Sequence, residues 1–351
     1  MPVASSVDRL RRSLLCAAPA LLLGACTAVP SEGLGDLTRT LTERLSAEDE
    51  AGFLACFAPA AGAQALGRRM FATLSQTSTA IAPAGSGRLR VSWSLTGEPR
   101  VDSEAAVGLL GGRIVNLTAT TTGTEWLGSP PGMHSAPELV VAAGTARHLS
   151  RWSRAAESAL AALRRVAPSG RQWAEPVVVL VPDNLTGFAA YAGRHADRLG
   201  AVTVVPGLAS SEGVRIVVNP DTSQKAADDC ILLTHESVHA WMRSPRLTGT
   251  PGWLVEGIAE AFTADAHRQV ASTNRELART AIKAGLPRAL PDIGDLSPAT
   301  YALAQLAVQA MVAHLGWPAV LDEADARTHG GGRIADATVL GWYRDALADL
   351  D

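Results

Sequence analysis

Two histidines four residues apart, His235 and His239, with Glu236 beside the first, constrain this chain more than any other feature. Residues at i and i+4 of a helix lie one turn apart on one face, so the pair forms a shared site only if the segment is helical. Asp228 and Asp229 suit the positive end of such a helix, and Ile231, Leu232, Val238 and Trp241 give it apolar side chains to bury. A metal held by two imidazoles wants a third protein ligand, and a carboxylate on a following helix can supply it. Glu256 stands after a loop marked by Gly249, Pro251 and Gly252, on a second apolar helical run. Glu260 follows one turn later on the same face, placed to accept a hydrogen bond from a ligand imidazole. The expected metal set is His235, His239 and Glu256. Glu236, offset by one position, reaches the open side and can take a proton from an attacking water.

Composition bears on the partners. The net charge is −3 and the basic residues are nearly all scattered arginines, Lys225 and Lys283 being the lysines. That excludes the basic stripe of a nucleic-acid binder and leaves little for lysine-based phosphate or Schiff-base chemistry.

The first residues read as a targeting segment. Arg9, Arg11 and Arg12 precede an apolar run from Leu14 to Leu23, too short for the roughly 20 residues that span a bilayer. Leu23-Gly24-Ala25-Cys26 resembles the lipobox of bacterial lipoproteins, which implies a signal over 1–25 and a lipid on Cys26. A simple signal peptide cleaved near Ala28 is the alternative. The protein is expected to be exported, on the outer side of the bacterial cytoplasmic membrane, with 26–33 as a tether. Of the remaining cysteines, Cys56 and Cys230 fall in different parts of the body, and Cys230 reads as a buried small hydrophobe.

The body divides by periodicity. Over 34–145, helices carrying Leu37, Leu41 and Leu45, then Phe53 to Phe57, then Leu66 to Leu74, give way to strands at 89–95, 113–125 and 138–143. Helices followed by strands are an α+β signature, and the layout resembles the NTF2-like cone. Over 146–351 a long helix at 146–166 leads to the continuous apolar run Val177 to Val181, a helix at 188–198, and strands at 201–205 and 214–218. From Lys225 the pattern is helical to the end.

The metal-helix segment also carries a family resemblance. His235-Glu236-Ser237-Val238-His239 followed by Trp253-Leu254-Val255-Glu256-Gly257-Ile258-Ala259-Glu260 resembles the gluzincin metallopeptidases of the bacterial peptidase MA-like group, over roughly 170–320. The resemblance implies one zinc ion, a zincin-type domain, a peptide or protein substrate, and an antiparallel edge strand before the metal helix, a place that 214–218 occupies. It also implies a Tyr or His that stabilises the oxyanion. Tyr301 is the candidate by its place in the chain, with His267 and His314 behind it. The alternative reading is a catalytically silent, metal-containing scaffold on the cell surface.

Overall fold

Residues along Val177–Val181 alternate between two cores, and this alternation organises the molecule. The computed structural model describes residues 31–350 apart from 86, 96, 129–131, 169–175, 194–195, 223–224 and 296. The export signal, Cys26 and the tether up to residue 30 lie outside the described residues, as does the expected breaker at 129–131. The tether's last residues, 31–33, belong to helix α1 (Ser31–Ser46).

The chain is a mixed α+β structure. Helices α1, α2 (Glu50–Leu54) and α3 (Ala61–Leu74) precede an antiparallel sheet of β1 (Ser78–Pro83), β2 (Arg88–Ser94), β3 (Val101–Leu110) and β4 (Arg113–Ala119), in that order. The apolar repeat of α1 buries Leu34, Leu37, Leu41 and Leu45 against this unit. Thr42 closes the outer edge of β1, its hydroxyl accepting from Ile81 N at 3.1 Å.

The second sheet contains β5 (Gly132–Ala136), β6 (Leu139–Ala143), β7 (Val177–Val181), β8 (Ala201–Val204) and β9 (Arg215–Val218), in the order β5-β6-β7-β9-β8. Strands β6, β7 and β9 run parallel, with antiparallel β5 and β8 at the edges. Helix α4 (Ala146–Val166) joins β6 to β7. Val178, Leu180, Val140, Ala142 and Val217 face the core shared with α1–α3 and the first sheet. Val177, Val179, Val181, Leu139, Val141, Ile216 and Val218 face Trp152, Ala156 and Leu160 of α4 on the other side. Burial on both faces is why these strands read as unbroken apolar runs, each buried Val or Leu contributing roughly 1.5–3 kcal/mol.

Two expectations change here. The seam drawn at residues 145/146 falls inside one sheet, because β6 before it and β7 after it are parallel neighbours. A strand apolar on both faces, as Leu139–Ala143 is, needs cover on both sides, and as a neighbour of β7 it is covered by the first unit on one face and by α4 on the other. The edge strand is β8, not 214–218. Strand β9 is fully buried between β7 and β8.

The two sheets are joined through Arg215, whose side chain is 1% exposed. It donates to Glu98 Oε1 at 2.6 Å and Oε2 at 2.9 Å and to Glu125 Oε2 at 3.0 Å, with its guanidinium 4.4 Å from the centre of the Trp93 ring. Burial outweighs the nearby guanidinium at Glu125 and holds its carboxyl above the usual range. The β8–β9 connection also docks on the first sheet, Leu208 N donating to Asp102 O at 2.7 Å and Gly207 N to Thr122 Oγ1 at 2.9 Å. Gly207, at φ 82°, is required here because a Cβ would meet the Asp102 carbonyl.

The rest is helical: α5 (Leu185–Ala192) before β8, then α6 (Ala226–Met242), α7 (Gly252–Ala266), α8 (Arg268–Ile282), α9 (Pro298–Leu315), α10 (Trp317–Thr328) and α11 (Asp336–Ala348). A third core gathers Leu254, Ile258 and Phe262 of α7 with Val308 and Met311 of α9 and Tyr343 of α11. Among the described residues no single helix is long and apolar enough to cross a membrane. Cys56 and Cys230 are both free thiols.

Candidate metal centre

Helix α6 carries the two histidines, and its register is set from outside the site. Arg151 of α4 donates to both carboxylate oxygens of Asp229 at 2.7 Å, fixing the first turns of α6 against α4. Asp229 is thus spent on Arg151, while Asp228 Oδ2 accepts from Lys225 N at 3.3 Å and closes the helix start. Helix α7 crosses α6 after a short loop and presents Glu256 and Glu260.

The three expected ligands converge. His235 Nε2 and His239 Nε2 are 3.0 Å apart, and Glu256 Oε2 lies 3.3 Å and 3.2 Å from them. Tetrahedral ligands about 2.0–2.1 Å from a common ion are separated by about 3.3 Å, so these spacings fit a small divalent cation. This group could hold a metal ion. Its electrostatics agree. Burial alone would lower the pKa of His235, but Glu256 and Glu260 outweigh it and hold the ring well above its ordinary value. Burial would raise the carboxyl of Glu256, and His239 and His235 overcome it to hold that group well below the carboxylate range. The Glu256 and Glu260 carboxylates, both largely shielded from solvent beside these rings, favour positive charge there.

A polar group faces the other nitrogen of each imidazole. His235 Nδ1 faces Glu260 Oε1 at 3.3 Å, within ion-pair reach but without the alignment of a hydrogen bond. His239 Nδ1 lies 3.0 Å from Ser244 Oγ, in the turn that follows α6. Engaging Nδ1 leaves Nε2 free to ligate. Ser244 was not among the residues singled out in the sequence, since a lone serine just past a helix carries no pattern.

Glu236 is buried and borders a cleft of about 500 Å³ together with His235 and Glu260. Its Oε2 accepts from Thr203 Oγ1 at 2.6 Å, and the same hydroxyl lies 3.2 Å from the Glu236 carbonyl oxygen. Thr203 sits on the edge strand β8, so the sheet edge and the Glu236 carboxylate are tied directly. Sequence reasoning missed this residue too; only the pairing of β8 outside β9 brings it to α6.

The three helper candidates separate. Tyr301, near the start of α9, borders the same cleft, its ring 6.2 Å from that of His235. His267 pairs with Thr234 Oγ1 at 2.9 Å and is not among the cleft residues. His314 stacks on Trp342 at 4.5 Å, about 20 Å along α9 from Tyr301 at ~1.5 Å per residue. Gly257 makes the approach of α9 possible. A Cβ there would meet the Ala304 carbonyl and lie 2.7 Å from Val308 Cγ2. The glycine of the Trp253–Glu260 segment therefore lets α9 bring Tyr301 to the site.

No family model, curated protein or solved structure matches this chain.

Proposed function

We propose that this protein is a zinc-dependent metallopeptidase of gluzincin type. The observation that carries the reading is the convergence of His235 Nε2, His239 Nε2 and Glu256 Oε2 to within 3.3 Å beside the Glu236 carboxylate in an open cleft. Two imidazoles and one carboxylate with a free side are the donor set of catalytic zinc sites. Zinc held there would lower the pKa of a water to about 7 and polarise a carbonyl.

The chain's own groups do the rest. Glu236 accepts a proton from the attacking water and delivers it to the leaving amine. Thr203 keeps that carboxylate turned toward the cleft, and the Tyr301 phenol offers a donor for charge developing on the carbonyl oxygen. Strand β8, with one edge unpaired in the sheet, lies beside the cleft and suits an extended peptide. The same reading includes a zincin-type fold for the catalytic part and an NTF2-like layout for the helices and first sheet. The lipobox-like Cys26 supports export and a lipid anchor on the outer face of the cytoplasmic membrane.

The test compares wild type, His239→Ala and Glu236→Gln by elemental analysis and by digestion of a peptide library. About one zinc per chain in wild type and Glu236→Gln, with cleavage by wild type only, is expected. Zinc bound without cleavage would favour the catalytically silent, metal-containing scaffold, and a wild type that takes up no zinc when supplied with it would overturn the metal reading itself.

A further inference from the structure

Glu260 is itself held by one side-chain amide, which a second amide holds in turn. Asn274, on α8, donates from Nδ2 to Glu260 Oε2 at 3.1 Å and to Gln305 Oε1 at 2.6 Å. A side-chain amide nitrogen has two hydrogens, and both are committed here. Turning the amide over would set its oxygen against two acceptors, so its orientation is dictated by chemistry rather than by packing. Asn274 is 8% exposed and Gln305 2%. Buried amides are costly unless satisfied, and Gln305 sits in a stretch of α9 whose other buried residues are chiefly Ala, Val and Met. Gln305 is also one helical turn beyond Tyr301, so α9 reaches His235 twice: directly through Tyr301, and through Gln305, Asn274 and Glu260 in series.

We propose that Asn274, backed by Gln305, is a positioning residue of the metal centre, fixing the Glu260 carboxylate opposite His235 Nδ1 so that the ring turns Nε2 to the metal. The relay rests on the metal reading above. It makes metal affinity depend on α8 and α9, neither of which supplies a ligand.

The experiment is a double-mutant cycle read by zinc affinity, using wild type, Asn274→Leu, Glu260→Gln and the double variant. Dissociation constants come from competition with a chromogenic chelator, and each zinc-free protein is melted as a control. Leucine keeps the branched shape and heavy-atom count of asparagine, at a larger volume, and removes both donors. Asn274→Leu should bind zinc about ten- to a hundredfold more weakly, the range for loss of a residue supporting a ligand. In the Glu260→Gln background the same change should alter affinity by less than about twofold, because the effect passes through Glu260. A purely structural asparagine would lower the melting temperature and leave affinity alone, or act equally in both backgrounds. Either result overturns the relay while leaving the metal site standing. Absence of zinc from the wild type overturns the metal reading, and the relay with it. Asn274→Ala serves the same cycle if the leucine variant does not fold.

Discussion

Replacing Gly257 by alanine sets two effects of opposite sign against each other. In a helix interior, alanine is favoured over glycine by about 1 kcal/mol, so propensity alone predicts a more stable protein. The structure predicts the reverse. The new methyl would sit against the Ala304 carbonyl, 2.7 Å from Val308 Cγ2 and 2.9 Å from the Ala304 carbonyl carbon. Carbon atoms settle at about 3.5–4.0 Å, so α9 would have to retreat by roughly 1 Å. Overpacking of this kind typically costs about 1–3 kcal/mol. The upper end applies here, since the obstacle is the backbone of a packed helix rather than a side-chain tip. The expected net loss is about 1–2 kcal/mol, read from urea unfolding of the zinc-free protein as a lower midpoint at unchanged slope. Turnover should fall as well, because Tyr301 travels with α9, and a misplacement near 1 Å can cost as much as ~100-fold. An alanine variant as stable as wild type, or more so, refutes the close-approach argument.

Thr203→Val should lower kcat on the order of tenfold or more, by removing a hydrogen bond to a charged group worth about 1.5–3 kcal/mol, with zinc content and KM little changed. Thr203→Ser should restore most of the loss, and a fully active valine variant removes Thr203 from the mechanism. Stripping zinc with a chelator should lower the melting temperature, and zinc at about 100 times its dissociation constant should return roughly 2.7 kcal/mol. No shift in calorimetry would count against a structural link between metal and fold. Arg215→Met leaves the buried Glu98 and the half-buried Glu125 without their partner and should cost about 3–5 kcal/mol at neutral pH. Glu125, with its carboxyl raised above 4.5 by burial, binds a proton more readily folded than unfolded. Its penalty therefore grows as pH rises above that value and is relieved on acidification. The variant should recover stability relative to wild type as pH falls from 7 towards 5 in denaturant titrations.

The candidate metal-binding group was legible in the sequence because a helix converts spacing into geometry: four residues bring His235 and His239 to one face of α6, and Glu256 and Glu260 to one face of α7. Strands β2, β6 and β7 and helix α4 were legible for a related reason, their apolar patterns matching one period. Strand β3 escaped notice because Val101–Ala105 is buried throughout, with Asp102, Ser103 and Glu104 among the buried residues, so its polar side chains imitate a loop. Strand β1, Ser-Thr-Ala-Ile-Ala-Pro, is largely exposed and too small in its side chains to signal. Thr203, Ser244, Asn274 and Gln305 depend on contacts between elements distant in the chain. No local pattern announces them. The reversal of β8 and β9 has the same origin, since strand order is a property of the whole sheet.

Arg215 also answers a question of pairing that the valines leave open. Val177–Val181, Leu139–Ala143 and Ile216–Val218 are apolar at every position, so sliding one strand past another by a residue would exchange one greasy set for its equivalent. Such a slip normally announces itself by turning polar residues inward, and here none would turn. Only Arg215 breaks the degeneracy. Opposite Val178 and Val204, it faces Glu98 and Glu125; shifted by one, its guanidinium would turn towards the apolar residues of α4, such as Trp152, Ala156 and Leu160. The ion cluster thus acts as an index mark, telling an otherwise ambiguous sheet which of its near-identical alignments is native. Because β8 is aligned on β9, that one mark also decides whether Thr203 arrives opposite Glu236.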